Sequence, residues 1–486
     1  MKLFYFTFLS IALSSFHTHA ASSDAWRSRV IYQLLTDRFA AVPTPPQCSD
    51  YSNYCGGTFQ GIETYLDYIQ GFGFDAIWIS PVIDNADGGY HGYWQRNMYE
   101  INSHFGTADD LLSLSNAVHQ RNMYLMLDIV ANHASSNTDV TQNYPFNSPQ
   151  YYHDCTGCPP GCNINQYENL TQMEPCRLAS LMDFNNSDPN GFVAQQLYQW
   201  IQQLVTNYSV DGLRIDTVPY VHPSVWQRFE QAANVYAVGE VDDGTIPFVS
   251  QFQAPTGSNA ALSGILNYPM FYTLRNVFKY QQSMNQISVA VQASNLAFAD
   301  TGLLGVFLDN HDNPRFMNGL NNPEAVPLYK GGLGYVLMSD GIPIIYYGSE
   351  WVYAGGNDPG CREPLWCPDI TYNTSASALG NFLTTLINYR KNNQLHLYKQ
   401  IELLVDNNFY AFSKGNHSLI ALTNVGSNGS NQTRTLTTLP SIFSNGVQAC
   451  NLLNCQQCST VTNNQLEIMV NKNDGIAIYD PNIKQC

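Results

Sequence analysis

Residues 212–223 read Gly-Leu-Arg-Ile-Asp-Thr-Val-Pro-Tyr-Val-His-Pro, a short apolar run that carries Arg214 and Asp216 and breaks at Pro219. In a β-strand, residues two positions apart project to the same face, so a cation and a carboxylate would leave this strand end together. An amphipathic pattern follows over Pro223–Ala233. The segment therefore predicts a buried strand, a polar strand end and then a helix.

Seven further apolar runs rich in β-branched and aromatic residues occur along the chain, most of them separated by amphipathic stretches such as Ala108–Gln120 and Phe192–Tyr208. Buried strands that alternate with helices are typical of a (β/α)8 TIM barrel, an α/β fold. A doubly wound open sheet is the alternative, but the sequence has no Gly-rich phosphate loop to support it. The eight predicted strands are residues 30–35, 74–80, 124–130, 212–216, 235–240, 264–267, 305–309 and 342–347.

Two regions depart from this alternation. Residues 132–189, after the third strand, contain four Cys with little periodicity and are too long for an ordinary connection, which predicts an inserted lobe. Residues 394–486 change to short alternating strands with turn residues, which predicts a C-terminal antiparallel β-sandwich domain. The barrel would then comprise residues 21–131 and 190–393.

Composition and the N-terminus indicate an exported protein that binds neither nucleic acid nor membranes. The net charge is −17, and no run of Lys and Arg offers the clustered cations that nucleic acid or an anionic membrane requires. Residues 1–20 resemble a secretory signal peptide, and their apolar run is shorter than the ~20 residues of a membrane span. Seven Asn-x-Ser/Thr sequons fit a glycosylating route: Asn169, Asn185, Asn207, Asn373, Asn416, Asn428 and Asn431.

Polar side chains follow the predicted strands at the end of the barrel where such folds carry their chemistry. Carboxylates stand at the ends of strands four, five and seven, as Asp216, Glu240 and Asp312. Neighbouring carboxylates raise one another's pKa, whereas Arg214 would hold Asp216 ionised. Glycoside hydrolysis requires one carboxylate beside one carboxylic acid, so the pattern favours a glycosidase over a structural ion-pair cluster.

Four segments resemble the short motifs of the alpha-amylase family of glycoside hydrolases, most closely its secreted fungal members: residues 128–133 (DIVANH), 212–216 (GLRID), 238–241 (VGEV) and 307–312 (FLDNHD). The resemblance implies that Asp216 is the nucleophile, Glu240 the general acid/base and Asp312 the carboxylate that stabilises an oxocarbenium-like state. The implied reaction is endo-hydrolysis of α-1,4-glucosidic bonds in starch through a covalent glycosyl-enzyme. It proceeds with retention, which requires Asp216 and Glu240 to lie ~5 Å apart.

The resemblance also implies further ligand-binding residues. A structural calcium ion would tie the lobe to the barrel, since Ca²⁺ takes carboxylate, amide and main-chain oxygens. Its ligands would be the side chains of Asn132, Glu174 and Asp183 and the main-chain carbonyl at Tyr220. Eight side chains would bind the glucan: His91, Tyr93, Trp94, His133, Arg214, His311, Asp358 and Arg362.

Residues 219–220 depart from the family pattern, in which Lys-His often follows Asp-Thr-Val. Tyr220 can replace the His, because that residue contributes only its main-chain carbonyl to calcium. Pro219 has neither a charge nor a donor, so sugar binding on the reducing-end side would be weaker or built differently. We expect Pro219→Lys to change the product distribution more than bond breaking itself.

Twelve Cys in an exported chain predict disulfides. A zinc site formed by the four Cys of the lobe is the alternative there, and it is disfavoured in an oxidising compartment. By resemblance, three pairs match family disulfides: Cys48–Cys55, Cys162–Cys176 and Cys458–Cys486. Proximity in sequence alone assigns three more: Cys155–Cys158, Cys361–Cys367 and Cys450–Cys455.

Two alternatives to a starch-hydrolysing amylase remain open. One is a related enzyme that acts on maltooligosaccharides or transfers the glucosyl group to another sugar. The other is a non-catalytic glucan-binding relative, which the presence of all three carboxylates disfavours. We expect a monomer.

Overall fold

The computed structural model describes residues 21–43, 48–254, 262–321, 323–366 and 372–486. The predicted signal peptide, residues 1–20, lies outside these ranges. Of the helices in the described ranges, none has the length and apolar character that a membrane crossing requires.

Eight parallel strands form the central sheet, and each overlaps a predicted strand. Neighbouring strands pair in chain order from β1 to β6, and β8 joins β1 to β7. A parallel bridge between Leu266 and Gly305 completes the circle, with the Asn267 N–H donating to the Gly305 carbonyl at 2.8 Å. The predicted TIM barrel is confirmed. Its strands are β1 (Ile31–Leu34), β2 (Ala76–Ile79), β3 (Tyr124–Ile129), β4 (Gly212–Ile215), β5 (Tyr236–Gly239), β6 (Gly264–Ile265), β7 (Gly305–Val306) and β8 (Ile342–Tyr346).

The described residues form thirteen α-helices, of which α5, α7 and α8 have the bounds that the amphipathic pattern predicts. A π-helical turn, Arg275–Lys279, extends α10. The helices are α1 (Ser23–Trp26), α2 (Thr36–Phe39), α3 (Phe59–Thr64), α4 (Leu66–Gly71), α5 (Ala108–Gln120), α6 (Leu170–Met173), α7 (Phe192–Tyr208), α8 (Pro223–Ala233), α9 (Ile246–Val249), α10 (Tyr268–Leu274), α11 (Asn285–Ala297), α12 (Val326–Met338) and α13 (Gly380–Asn392).

Local chemistry accounts for the ends of the predicted helices. A capping box starts α5, in which the Thr107 and Asp110 side chains each bond the other residue's main-chain N–H. Pro223 occupies the first position of α8, where its missing N–H is harmless. The same helix ends at Asn234, whose φ of 54° is the left-handed conformation common after a helix.

Apolar side chains fill the barrel interior. Ile31, Ala76, Met126, Val238 and Ile344, each from a different strand, belong to one buried cluster. A barrel of this kind is therefore a packed core and not a pore. The polar residues collect beyond this layer, at the carboxyl ends of the strands.

The lobe after β3 is mostly irregular and is held by two disulfides, Cys155–Cys162 and Cys158–Cys176. The predicted pairs Cys155–Cys158 and Cys162–Cys176 are wrong. The Cys158 N–H donates to the Cys155 carbonyl across a tight turn, and the chain then returns so that the Cα atoms of Cys155 and Cys162 lie 5.3 Å apart. Because all four sulfurs are in disulfides, the zinc alternative is excluded.

The C-terminal domain is an antiparallel β structure, as predicted. A six-stranded sheet in the order β14-β13-β16-β11-β10-β9 packs on the pair β12-β15 through a buried apolar cluster. The alternating pattern predicts strands only over residues 409–413, 419–424, 435–438, 467–470 and 475–479, so β9, β13 and β14 were not predicted. The strands are β9 (Gln400–Val405), β10 (Phe409–Lys414), β11 (Ser418–Thr423), β12 (Gln432–Leu436), β13 (Gln448–Asn451), β14 (Asn454–Thr460), β15 (Leu466–Val470) and β16 (Ile476–Asp480).

Outside the lobe, the structure confirms one of the predicted disulfides and contradicts two. Cys48–Cys55 is confirmed. The structure contains Cys450–Cys458 and Cys455–Cys486, so the predicted pairs Cys450–Cys455 and Cys458–Cys486 are wrong. The reason is the hairpin of β13 and β14, whose register places Cys450 opposite Cys458. Of the pair Cys361–Cys367, Cys361 is a buried free thiol, and Cys367 lies outside the described residues.

Candidate active site

The carboxyl ends of β3, β4 and β5 bring four charged side chains into one cluster. Arg214 lies at its centre, with Nη1 2.8 Å from Asp128 Oδ1 and 2.8 Å from Asp216 Oδ1. Its Nη2 lies 3.0 Å from Glu240 Oε2. The register of β3 and β4 places Asp128 directly opposite Arg214. One guanidinium thus holds the two predicted catalytic carboxyl groups next to each other.

Burial and a neighbouring carboxyl group oppose the effect of Arg214 on the pKa of Asp216. Burial raises the pKa of Asp216 well above the usual carboxyl range, and the negative charge of Glu240 raises it further, while Arg214 opposes both. Burial likewise raises the pKa of Asp128 to about 6. Arg214 divides its charge among three carboxyl groups, so its effect on Asp216 is smaller than a single ion pair would give. Carboxyl groups coupled this closely titrate as a set.

The backbone after β4 is shaped around Glu240. Thr217 has a φ of 52°, which is unusual for a β-branched residue. This conformation directs the Thr217 N–H to Glu240 Oε2 at 3.0 Å. From α10, the Tyr268 hydroxyl donates to the other oxygen, Oε1, at 3.4 Å. The Glu240 carboxyl is therefore oriented by main chain, side chain and the Arg214 cation together.

Asp312 lies beyond β7 in contact with other predicted site residues. Its Oδ2 is 3.3 Å from His311 Nε2, and its Oδ1 is 3.2 Å from Arg362 Nη2. Arg362 Nη1 also pairs with Asp358 Oδ1 at 2.8 Å, and it donates to the Tyr90 hydroxyl at 3.1 Å. The predicted group Asp312, Asp358 and Arg362 is thus contiguous in space.

The three predicted histidines are buried, and burial favours their neutral forms. Burial lowers the pKa of His91 to about 3 and that of His133 to about 4. For His311, burial and the nearby charges of Arg214 and Arg362 lower the pKa well below its usual value. A neutral imidazole has one donor and one acceptor nitrogen, which suits hydroxyl groups better than it suits anions.

The predicted aromatic residues lie beside these histidines. The Tyr93 ring stacks on the His311 ring, with centroids 5.4 Å apart, and its hydroxyl donates to Asp128 Oδ2 at 2.8 Å. Trp94 contacts His91 edge to face and is 37% exposed. Trp94 is therefore the aromatic residue of this group with the most accessible surface.

Three of the four predicted calcium ligands converge where the lobe meets the barrel. One amide atom of the Asn132 side chain lies 3.2 Å from Asp183 Oδ1 and 3.2 Å from the Tyr220 carbonyl oxygen. Burial raises the pKa of Asp183 to about 7. Glu174 directly follows α6 and is half-buried, and among the described residues no hydrogen bond joins its carboxyl to the other three. Nor do three or more His, Cys, Asp or Glu side chains in those ranges cluster as a metal site.

Pro219, where the sequence departs from the family pattern, lies in the 3₁₀ turn Val218–Tyr220 and is buried. This turn directly follows Thr217, and its Val218 carbonyl accepts from Trp226 Nε1 at 2.8 Å. The departure therefore lies in a buried, hydrogen-bonded turn next to the Arg214 cluster.

Sequence reasoning missed four side chains that support the site. Gln33 Nε2 lies 2.9 Å from His311 Nδ1, and Trp78 Nε1 donates to Asp128 Oδ2 at 3.1 Å. Tyr268 and Asn310 are hydrogen-bonded to each other at 3.2 Å. The one signal in the sequence was Gln33, a polar residue inside the apolar run of β1, which could have indicated a contact with a site residue at the end of the barrel.

Comparisons with known proteins agree with this geometry. The family model described as Alpha amylase, catalytic domain, matches residues 33–400. The chain belongs to the alpha-amylase family. It is 37% identical to Alpha-amylase 2 of Schwanniomyces occidentalis over 95% of this chain and 91% of the relative. It is 34% identical to the alpha-amylase of Saccharomycopsis fibuligera over 92% of this chain and 90% of the relative.

The solved alpha-amylase structure from Malbranchea cinnamomea has the same fold, with a TM-score of 0.85 and 35% identity. The match covers 95% of this chain and 98% of that one. Both the barrel and the C-terminal sheets therefore follow the architecture of this family. The chain is accordingly a glycoside hydrolase of the alpha-amylase type.

Proposed function

We propose that this protein is an extracellular alpha-amylase that cleaves internal α-1,4-glucosidic bonds of starch with retention of configuration. The observation that carries the proposal is the Arg214 guanidinium, which bridges Asp216 and Glu240. The barrel end that holds them also presents Asp312. Paired carboxyl groups of this kind are the machinery of retaining glycosidases.

The three carboxyl groups have different roles in the proposed reaction. Asp216 attacks the anomeric carbon while Glu240 donates its proton to the departing glycosidic oxygen. Glu240, now ionised, takes a proton from water, which then hydrolyses the glycosyl-enzyme bond to Asp216. Asp312 stabilises the positive charge that develops on the sugar ring in both steps.

The surrounding residues bind and orient the glucan. The neutral imidazoles of His91, His133 and His311 exchange hydrogen bonds with sugar hydroxyls. Trp94 offers its accessible ring to the sugar, and the Tyr93 ring lies nearby, stacked on the His91 and His311 rings. Asp358 and Arg362, whose Oδ1 and Nη1 atoms lie 2.8 Å apart beside Asp312, hold a glucose unit further toward the non-reducing end.

Calcium is the proposed structural ion. The convergence of the Asn132 amide, Asp183 and the Tyr220 carbonyl supports an oxygen-rich site, with Glu174 as a fourth ligand from α6. The bound ion would supply positive charge that neutralises Asp183 and joins the lobe to the turn after β4. Its role is to brace the cleft and not to take part in bond breaking.

Secretion as a monomer completes the proposal. Five disulfides within the described residues suit an oxidising compartment. All seven sequon asparagines are exposed, so each is accessible to glycosylation. Residues 1–20 would direct export.

The test is product analysis on soluble starch with the wild-type protein, Asp216→Asn and Glu240→Gln. We expect the wild type to release short reducing sugars with rapid loss of iodine colour, and both variants to be slower by on the order of 10²- to 10⁴-fold. An endo-acting enzyme loses iodine colour before much reducing sugar appears. Wild-type turnover by either variant would contradict the assigned roles, and transfer products without net hydrolysis would favour a transglycosylase.

A further inference from the structure

We propose that Arg275 and Lys279, on the π-helical turn that extends α10, position Asp312 for catalysis by clamping the loop that carries it. The inference rests on the proposed function, because it gives these two residues a role through Asp312. Neither residue touches the cluster around Arg214, so both are positioning residues. We call residues 307–318 the Asp312 loop.

Arg275 ties the two limbs of the Asp312 loop together. Its Nη1 donates to the Leu308 carbonyl at 3.3 Å, before Asp312 in the loop. Its Nη2 donates to the Pro314 carbonyl at 2.7 Å, after Asp312 (the returning limb). The side chain is 8% exposed. A buried guanidinium whose donors are used on carbonyl groups fixes the spacing of those carbonyls, because an unmade bond to a buried charge is costly.

Lys279 holds the returning limb further along. Its Nζ donates to the Asn318 carbonyl at 2.8 Å and to the Arg315 carbonyl at 3.4 Å. Burial and the adjacent positive charge of Arg275 lower the pKa of Lys279 to about 8. Arg275 Nη1 also lies 3.5 Å from Asp309 Oδ1, so a carboxylate of the Asp312 loop offsets the repulsion between the two cations. All of these contacts are to that one loop.

The same helical segment also contacts the acid/base. Tyr268, at the start of α10, donates to Glu240 Oε1 at 3.4 Å and accepts from Asn310 Nδ2 at 3.2 Å. Asn310 Oδ1 in turn accepts from the Asp312 N–H at 3.1 Å. The helix therefore contacts Glu240 at one end and clamps the base of the Asp312 loop at the other.

The π-helical turn explains how one helix reaches both places. The Tyr280 N–H bonds the Arg275 carbonyl five residues earlier, at 3.1 Å. A π turn inserts one residue into the α-helical spacing and is frequent at functional sites. The insertion changes the direction in which Lys279 leaves the helix relative to Tyr268.

A double-mutant cycle tests the clamp. Lys279→Met and Asp312→Asn are made singly and together, and turnover of α-maltotriosyl fluoride is measured, because its good leaving group keeps Asp312→Asn measurable. We expect Lys279→Met to lower kcat ~10-fold in the wild-type background, by analogy with small misplacements of reacting groups, and less than about 2-fold in the Asp312→Asn background. KM should not change, and Lys279→Arg should restore most of the kcat.

Lys330→Met is the matched control, since Lys330 Nζ lies 5.7 Å from the centroid of the Phe382 ring and, among the described residues, donates to no carbonyl of the Asp312 loop. It should leave both backgrounds unchanged. An equal loss in both backgrounds, or no loss at all, would overturn the clamp. If misfolding alone caused the loss of kcat, the loss would appear in both backgrounds and the midpoint of thermal unfolding would also fall. If the wild type itself does not turn over the substrate, the proposed function fails, which is a separate outcome from failure of the cycle.

Discussion

At the scale of single residues, the chemistry depends on how Arg214 divides its hydrogen bonds. The guanidinium contacts Asp128, Asp216 and Glu240 at 2.8 to 3.0 Å. A cation shared in this way aligns the carboxyl groups but leaves burial as the larger influence on Asp216. Asp216, the proposed nucleophile, therefore binds its proton more tightly than an exposed Asp does.

This raised pKa predicts the pH dependence of activity. Asp216 must be ionised to attack, so kcat/KM should fall as the pH decreases through its raised pKa. We expect the acid limb of the profile on a maltooligosaccharide to lie above the ~4 of an ordinary Asp. Thermal unfolding over the same pH range controls for loss of the fold. An acid limb at or below the value of an exposed Asp would contradict the burial argument.

The sequence alone could place Arg214 and Asp216 on one face, because both belong to one short strand with a period of two. It could not show that Asp128 faces Arg214, because that contact depends on the register between β3 and β4. Burial, the first cause of the raised Asp216 pKa, could likewise not be read from the sequence. Gln33 and Trp78 were missed because nothing local distinguishes a strand residue that supports a histidine from one that packs.

At the scale of elements, β-hairpins and close helix packing determine the disulfide partners and contacts that the sequence pattern does not predict. Regular strands and helices were predictable, since α5, α7 and α8 have uninterrupted amphipathic periods and clear end signals. Disulfide partners were not, because the β13–β14 hairpin brings Cys450 to Cys458 and leaves Cys455 for Cys486. Neighbours in sequence are poor guides to pairing where the chain reverses.

The contact between α12 and the C-terminal domain gives a prediction at this scale. Gly475 has a φ of 70°, and a Cβ there would lie 2.0 Å from the Pro327 carbonyl oxygen. Gly446 has a φ of 87° but open space around its Cα. We expect Gly446→Ala to lower the free energy of unfolding by about 1–2 kcal/mol for the left-handed backbone. Gly475→Ala should lower the free energy of unfolding by roughly 1–3 kcal/mol more than Gly446→Ala does, because the added Cβ also overpacks the contact with Pro327.

Urea denaturation of the two variants measures this difference, and Gly446→Ala serves as the matched control for the backbone conformation. Equal losses of stability would mean that the helix and the sheet can separate without penalty. That result would contradict the close packing of α12 on β16.

At the scale of the whole molecule, the lobe and the barrel meet at the proposed calcium site. An ion that binds only the native state stabilises it by mass action, about 2.7 kcal/mol at a hundredfold excess over Kd. We therefore expect a chelator to lower the Tm and added Ca²⁺ to restore it. Activity should fall with the loss of the braced cleft.

Asp183→Ala should remove this calcium dependence, whereas Asp188→Ala, an exposed carboxylate of the same lobe, should keep it. If calcium raised the Tm of the Asp183 variant as much as it raises that of the wild type, the ion would bind at another site. The comparison uses the calcium-dependent shift and not the absolute Tm, so a general loss of stability in the variant does not affect it.

The central claim, that Asp216 forms a glycosyl-enzyme while Glu240 acts as acid and base, is tested most directly by trapping the intermediate. The protein would be treated with a 5-fluoro maltosyl fluoride, whose glycosyl-enzyme turns over slowly, and the labelled peptide identified by mass spectrometry. The account predicts a single adduct on the peptide that contains Asp216, absent from the Asp216→Asn variant. An adduct on another carboxylate, or inactivation without any covalent label, would contradict it.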